Sequence, residues 1–211
     1  IGGVNHVVYH GTAFSPLNEP WPGWFFYVSI HLNPRNPIWT HTGAVHDYAA
    51  RAQSFLQAGR PDPDVLLYYP MHDRFATPPY RVVEEPEADG PSHILLEHVR
   101  VDEVAFLATD FGQLSRQLME TGWAFDYVSD LQLQTVAVGG GRIRAPGADY
   151  RAIVLPPSRY IPVETFARLI ELAEGGATII VPGALPGDVP GLHRLDERRA
   201  TLAQLQSRNE A

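Results

Sequence analysis

The sequence predicts the α/β fold class, because its later part alternates apolar runs with amphipathic helical segments. From Asp64 onward, the apolar runs are short and continuous, which is typical of strands buried on both faces of a parallel sheet. Apolar residues at 163, 166, 169, 170 and 173 would give a helix one apolar face, suited to covering a sheet. This alternation predicts a parallel sheet of flavodoxin-like type, with residues 64–70, 150–157 and 177–183 as its central strands.

The individual elements of this domain follow from the same patterns. Strands are predicted in "DVLLYYP" (64–70), "AFDYVSD" (124–130), "YRAIVLPP" (150–157) and "ATIIVPG" (177–183). Helices are predicted in "LSRQLMETGW" (114–123), "PVETFARLIELAEGG" (162–176) and "DERRATLAQLQS" (196–207). "TVAVGGGRIRAPGADY" (135–150) is typical of a hairpin or loop insertion, and residues 72–104 of an irregular excursion rich in proline.

The first part of the chain differs in composition. Five of the nine histidines and three of the four tryptophans lie in the first 46 residues, among Pro and Gly, which is typical of loops that carry a site. Strands are predicted in "GVNHVVYHG" (3–11) and "WFFYVSIHL" (24–32), and a helix in "HDYAARAQSFLQAG" (46–59), ending at Gly59. A domain boundary is expected near "GRPDPD" (59–64).

The bulk properties exclude several functions. A net charge of −8 and the absence of basic runs argue against nucleic acid as a partner, so none is predicted. No apolar run reaches the length of a transmembrane helix, so no membrane partner is predicted. The chain begins at Ile1 without a signal peptide, and we expect it to be a fragment. The sequence decides neither the oligomeric state nor the compartment, although a bacterial periplasmic or secreted location would be compatible.

His6 and His10 form an HxxxH pattern, which binds zinc when both rings lie on one helix face. On a predicted strand, four residues separate the rings by roughly 13 Å, so a shared metal is not expected. His6 could equally be an ordinary hydrogen-bonded histidine. His10 precedes Gly11 at the predicted end of its strand, where barrel enzymes place ligand contacts, so we expect it to touch a ligand.

"NEPWPGW" (18–24) places Trp21 and Trp24 in a loop with two prolines. Tryptophan faces stack on the apolar faces of sugar rings, although a structural cluster would look the same in sequence. Glu19 could act as an acid or base, but carboxylate catalysis needs a pair, and no second carboxylate in this half of the chain has a comparable context. Asp47 is more simply a helix N-cap or first-turn acid.

The second domain offers no nucleophile that the sequence can identify. The chain has no cysteine, and Ser129 and Ser158 lie outside any G-x-S-x-G pattern. The run Gly139 to Gly141 lacks the GxGxxG spacing of dinucleotide sites. No cofactor is therefore expected within the chain.

Four stretches together resemble the middle to late part of glycoside hydrolase family 106, the α-L-rhamnosidases. They are "GVNHVVYHGTAFSP", "WPGWFFYVSIHLNPRNPIW", "YAARAQSFLQAGRPDPDVLLYYP" and "YRAIVLPPSRYIPVETFARLIELAEGGATIIVPGALPGDVPG". The last is also similar to the amidotransferase-like domain of the family 42 β-galactosidases. The resemblance runs across most of residues 1–191.

The resemblance implies that residues 1–61 are the C-terminal part of a (β/α)8 barrel. It also implies that residues 62–211 are a class I glutamine amidotransferase-like domain without its Cys nucleophile. Such enzymes release terminal α-L-rhamnose from rhamnose-containing carbohydrates with inversion, using two glutamates and, in the parent enzyme, calcium. Those glutamates would precede Ile1, so the catalytic residues are unknown and the chain alone is expected to be inactive. The candidate sugar contacts are Asn5, His6, His10, Trp21 and Trp24.

Two alternatives remain open at this point. The chain could be a non-catalytic module that binds carbohydrate or a partner subunit, or a complete small α/β enzyme of unknown chemistry. Within the glycoside hydrolases, a fragment of a family 42-like β-galactosidase is the other possibility.

Overall fold

The structure is a computed structural model that describes residues 4–26, 29–76 and 106–209. The chain divides into two compact units, Ile1–Arg60 (unit 1) and Pro61–Ala211 (unit 2), and the division falls within the segment 59–64 where the composition changes. From residue 77 onward, the predicted excursion over 72–104 lies outside the described residues. None of the helices in the described ranges has the length and apolarity that crossing a bilayer requires.

Unit 1 contains loops, a 3-10 helix at Pro37–His41 and helix α1 at Thr42–Ala58. The predicted helix is confirmed, with Gly59 as its C-cap, but it begins four residues before the predicted start. Asp47 is therefore neither an N-cap nor a first-turn acid. His41 occupies the N-cap, and Asp47 lies in the second turn.

The two strands predicted in unit 1 are wrong for the residues that the structure describes. Residues 4–11, 24–26 and 29–32 contain no strand. A strand needs a neighbouring strand for its backbone N–H and C=O groups. Here glutamines of α1 make such contacts instead: Gln53 Oε1 accepts from the Val7 N–H at 2.6 Å, and Gln57 Nε2 donates to the Asn5 carbonyl at 2.9 Å.

Unit 2 is built on a parallel sheet covered by helices, as the alternating pattern predicts. Its strands are β1 (Val65–Tyr68), β2 (Phe125–Val128), β3 (Ala137–Gly139), β4 (Arg142–Arg144), β5 (Asp149–Tyr150), β6 (Ala152–Val154) and β7 (Thr178–Ile180). Its helices are α2 (Met71–Ala76), α3 (Asp110–Glu120), α4 (Asp130–Leu133), α5 (Val163–Glu174) and α6 (Leu195–Asn209).

The parallel sheet has the strand order β2-β1-β6-β7. Val65 pairs with both Phe125 and Ala152, so β1 has a parallel partner on each side. The prediction that 64–70, 150–157 and 177–183 share one sheet is confirmed. The order matches the first four strands of the flavodoxin-like arrangement. However, β7 lies at the edge of the described sheet rather than in its centre, because its one partner among the described strands is β6.

The core lies on both faces of β1, whose four residues are all buried. Leu66 and Tyr68 belong to a cluster that includes Phe166 of α5, whereas Val65 and Leu67 pack with Phe111 of α3 on the other face. Alternation along the strand sends successive side chains to opposite faces. A continuous apolar strand is therefore the sequence that this position requires.

Residues 137–150 form a separate three-stranded antiparallel sheet in the order β3-β4-β5, which confirms the predicted hairpin. Gly140 and Gly141 connect β3 to β4, and both have positive φ, at 63° and 72°. Two-residue hairpin turns with positive φ at both central positions match the twist of the strands. The glycine run is thus a turn.

We expect Leu67→Ala to lower the free energy of unfolding by about 2–5 kcal/mol, because it removes a side chain that is 0% exposed at the centre of the sheet. Leu131→Ala is the matched control, since Leu131 is 83% exposed in the same unit. Urea unfolding followed by far-ultraviolet circular dichroism measures both. Equal effects of the two substitutions would contradict the assignment of β1 to the core.

Candidate functional site

Unit 1 has almost no buried core. Among its described residues Thr42 alone is buried. The exposed large aromatic residues of this unit are Tyr9, Phe14, Trp21, Trp24, Phe25, Phe26, Trp39, Tyr48 and Phe55. These side chains are candidates for contacts with a ligand or with another part of a protein.

Residues 15–24 form a loop that presents two of these side chains, and we name it the tryptophan loop. Trp21 is 71% exposed and Trp24 is 53% exposed. The two tryptophans predicted to contact sugar therefore lie close together in the chain, with their ring systems open to solvent. Such rings can stack on the apolar face of a sugar.

Arg35 holds this loop in place. Its guanidinium donates to the carbonyls of Pro16 at 2.6 Å, Leu17 at 3.1 Å and Glu19 at 3.0 Å. In return, the Arg35 carbonyl accepts a hydrogen bond from Trp21 Nε1 at 3.1 Å. The planar guanidinium group carries several N–H donors in a fixed geometry, so one arginine can donate to several carbonyls at once.

The first and last residues of the loop are joined by a hydrogen bond, in which Ser15 Oγ accepts from the Trp24 N–H at 2.8 Å. Gly23 has φ +93°, and a Cβ there would lie 2.5 Å from Ser15 Oγ. Both the positive φ and the lack of space for a Cβ therefore require glycine at position 23. The Trp24 ring lies edge-on to Phe14, with centroids 6.1 Å apart.

The predicted histidines and Asn5 lie in two different settings. Gln57 Nε2 donates to the Asn5 carbonyl at 2.9 Å and to His6 Nδ1 at 3.0 Å, so Asn5 and His6 both lie beside α1. His10 instead stacks on Phe26, with ring centroids 6.1 Å apart and planes at 30°. No contact that the structure gives joins either group to Trp21 or Trp24.

The predicted distance between His6 and His10 was based on strand geometry, and neither residue lies on a strand. The two rings have different partners, Gln57 and Phe26. Within the described ranges, no group of three or more His, Asp or Glu side chains could hold a metal ion.

Sequence reasoning missed Arg35 and His31. His31 stacks on Phe25 with centroids 4.6 Å apart, and its Nε2 is buried without a hydrogen-bond partner among the described residues. The signal for Arg35 was present: unit 1 has only three basic residues other than histidine, namely Arg35, Arg51 and Arg60. Arg35 alone lies within the Pro-rich loops, where unpaired carbonyls need a donor.

In unit 2, Asp130 joins three elements at the carboxyl end of the parallel sheet. Its Oδ1 accepts from the Tyr68 hydroxyl at 2.8 Å and from Thr165 Oγ1 at 2.7 Å. His72 Nε2 lies 3.5 Å from its Oδ2. Burial, followed by the adjacent Asp130 carboxylate, raises the pKa of Tyr68, so the phenol remains a donor.

Asp73, on helix α2 after β1, ties this helix to the loop after β6. Its carboxylate accepts from the backbone N–H of Arg159 at 2.6 Å and of Tyr160 at 2.7 Å. In the strand order, β2 lies beside β1 and β7 lies beside β6 on opposite sides of the β1–β6 pair, so α2 and the loop after β6 flank the topological switch point where α/β folds bind ligands. These two backbone N–H groups therefore already have an acceptor within the chain, the Asp73 carboxylate.

The serines of unit 2 have no catalytic partners that the structure gives. Ser129 is the N-cap of α4 and forms a capping box with Gln132. Ser158 Oγ is buried and has no hydrogen-bond partner within the part of the chain that the structure describes. Neither serine contacts a base.

Asp188 and Arg199 form a bidentate ion pair beside this edge, with both N–O distances at 2.7 Å. The hydrogen bonds from Arg199, together with the backbone N–H of Val189, lower the pKa of Asp188 to about 2. The pair holds α6 against the segment that follows β7.

Comparison with known proteins gives one relative and one solved structure. The chain is 26% identical over 208 residues to a protein of Formosa agariphila described as "Putative beta-glucuronidase". The match covers 96% of this chain and 14% of that protein, so the chain spans about a seventh of its relative's length. The beta-galactosidase from Bifidobacterium adolescentis aligns with a TM-score of 0.34 and 18% identity, over 61% of this chain and 45% of that one. No family model matches the chain.

These findings make the chain similar to part of a glycoside hydrolase-like protein. They do not show membership of family 106, and the barrel and amidotransferase-like assignments of the two units also stay predictions. The structure itself shows a mixed α/β protein with a parallel sheet.

We expect Arg35→Ala to loosen the tryptophan loop, because three carbonyls lose their donor. The Trp21 indole N–H should then exchange with solvent several-fold faster, since its acceptor is the Arg35 carbonyl. Indole exchange measured by NMR tests this. Arg51→Ala, on α1, is the control and should leave the rate unchanged. An unaltered Trp21 rate in Arg35→Ala would contradict the role of Arg35.

We expect unit 2 to lose stability as the pH falls from about 4 to about 2, with Asp188 contributing to the loss. The unfolded state takes up a proton at Asp188 in this interval, whereas the folded state holds the carboxylate ionised. Asp188→Asn should lower stability at pH 7 and reduce the acid dependence. Urea unfolding in steps from pH 7 to pH 2 measures this, with Asp149→Asn, at an exposed residue of β5, as the control. An identical pH profile for Asp188→Asn and the wild-type chain would refute the assignment.

Proposed function

We propose that this chain is part of a glycoside hydrolase and that the tryptophan loop forms a wall of its sugar-binding site. The observation that carries the proposal is the pair of exposed indoles, Trp21 and Trp24, on a loop fixed by Arg35 and Ser15. A fixed aromatic surface stacks on a sugar at little cost in conformational entropy. Similarity over 96% of the chain to a protein described as a glycosidase supports the same reading.

The substrate we propose is a rhamnose-containing carbohydrate, from which the whole enzyme releases terminal α-L-rhamnose with inversion. Inversion needs two carboxyl groups roughly 6.5–9.5 Å apart, one to protonate the leaving oxygen and one to activate water. Unit 1 contains only Glu19 and Asp47, on a loop and on α1. We therefore assign the catalytic acid and base to other parts of a longer protein.

The residues of unit 1 would position the sugar rather than react with it. Trp21 and Trp24 supply stacking surfaces, while Asn5, His6 and His10 supply hydrogen-bonding groups at exposed positions. Holding the sugar in register with distant carboxylates contributes to rate through orientation. Loss of one such residue should therefore lower activity without abolishing it.

Calcium, which the family resemblance implies for the parent enzyme, does not fit the described residues of this chain. Calcium takes six to eight oxygen ligands, several of them carboxylates. No cluster of three or more candidate metal ligands occurs in residues 4–26, 29–76 and 106–209. The proposal therefore assigns no step to calcium here.

The exposed apolar residues of unit 1 support its placement in a larger domain. A unit with one buried residue in its described part lacks the core that ordinarily stabilises a fold. In this proposal the missing barrel strands cover Phe55 and Leu56 of α1 and the aromatic residues of the preceding loops. The relative's length leaves room for such a domain.

A second candidate is release of a β-linked sugar. It is favoured by the printed description of the relative as a beta-glucuronidase. The same wall of aromatic side chains would serve an α- or a β-glycoside, because stacking involves the ring face and not the anomeric bond.

We expect residues 1–211 alone not to hydrolyse an aryl α-L-rhamnoside, and the full-length protein to do so. His10→Ala in the full-length protein should lower kcat/KM about tenfold or more, through lost positioning of the substrate. A chromogenic assay with purified chain and full-length protein measures both. His41→Ala, also exposed in unit 1, is the control and should retain activity.

Aryl β-D-glucuronide and β-D-galactoside in the same assay decide between the two candidates. Turnover of a β-glycoside with none of the α-L-rhamnoside would replace the first candidate by the second. Robust hydrolysis by residues 1–211 alone would show that carboxylates of this chain, Glu19 foremost, are catalytic.

A further inference from the structure

An open cavity of about 450 Å³ lies at the carboxyl end of the parallel sheet in unit 2. Its walls come from the segments that follow three parallel strands. His72 and Phe75 follow β1, Arg159 and Tyr160 follow β6, and residues 188–192 follow β7. This position is the one at which α/β folds bind ligands, and the volume falls in the range of small-molecule sites.

The cavity is lined by charged side chains of both signs. The lining includes Arg159, Arg199 and Asp188, with His72 beside Asp130 at its edge. Asp188 forms a bidentate pair with Arg199 and so neutralises it. Arg159 is the other arginine of the lining, and it lies beside the carboxylates of both Asp188 and Asp73.

Arg159 is available for a ligand and held in position. Its guanidinium carbon lies 4.9 Å from the centre of the Tyr160 ring. Within the described ranges, no hydrogen bond or ion pair engages its guanidinium nitrogens. Its backbone N–H is fixed by the Asp73 carboxylate at 2.6 Å. A guanidinium whose backbone is already ordered loses less entropy when it binds an anion.

The same contact with Asp73 excludes the usual alternative for an anion. Backbone amides at the carboxyl ends of strands often receive phosphate groups, but here the amides of Arg159 and Tyr160 both donate to Asp73. An incoming anion must therefore be bound by a side chain. One arginine beside the carboxylates of Asp73 and Asp188 suits a single negative charge better than a dianion, which these carboxylates would repel more strongly.

We propose that this cavity binds a saturated ring bearing one carboxylate, of which a hexuronic acid is the simplest carbohydrate example. Arg159 takes the carboxylate through two parallel N–H donors. Phe75, Tyr160 and Leu192 offer apolar surface to the ring, with Phe75 77% and Leu192 87% exposed. The site lies wholly in unit 2 and does not depend on the function proposed for unit 1.

Calorimetric titration of residues 1–211 with D-glucuronate, D-glucose and acetate tests the proposal. We expect glucuronate to bind about tenfold or more tightly than either other compound, because it alone has both the ring and the charge. Its affinity should fall as salt rises from about 0.05 to 0.5 M. Arg159→Gln should weaken glucuronate binding about tenfold or more, while the backbone contact with Asp73 remains.

Arg116→Gln is the matched control. Arg116 is an exposed arginine of the same unit on α3, where it pairs with Glu120, and it does not line the cavity. Glucuronate affinity should not change in this variant. Equal binding of glucuronate and glucose, equal binding of acetate, no binding of glucuronate, or equal affinities of Arg159→Gln and the wild-type chain would each overturn the proposal. None of these results would bear on the tryptophan loop.

Discussion

Burial of β1 on both faces is the constraint on which unit 2 depends. Its four residues alternate between two apolar clusters, and its backbone is paired on both sides, by β2 and by β6. Because both neighbours are parallel, the segments that follow all three strands meet at one edge. That edge collects Asp73, Asp130 and Arg159, which lie far apart in sequence. The polar chemistry of unit 2 is thus a consequence of where an apolar strand lies.

The sequence predicts unit 2 well for the same reason. Continuous apolar runs and a one-faced helix have few other ways to bury themselves, so strands such as 65–68 and the helix at 163–174 follow from pattern alone. The position of β7 at the edge of the described sheet does not follow from the sequence, because an apolar run does not indicate how many neighbouring strands it has. The roles of Asp73 and Asp130 also depend on the packing of loops, which periodicity does not encode.

Unit 1 shows why composition alone misleads. "GVNHVVYHG" has the β-branched and aromatic residues of a strand, but strand formation requires a partner with free backbone groups. In the described residues the groups that meet this segment are amides of Gln53 and Gln57, one helical turn apart on α1. The side chains of His6 and His10 therefore take their positions from a helix and from Phe26, not from the alternation of a strand.

The two units therefore hold their functional residues by different means. In unit 2 the backbone sheet comes first, and the polar contacts at its edge are secured by a core that includes Leu66, Ile153 and Phe166. In unit 1 no such core exists among the described residues. Four hydrogen bonds of Arg35, together with the one that Ser15 Oγ accepts from the Trp24 N–H, fix the tryptophan loop. Local hydrogen bonds can order a loop, but they cannot hide its apolar surface from water. The exposed rings of unit 1 are therefore the surface on which the proposed function depends, whereas the apolar clusters of unit 2 are buried within its described residues.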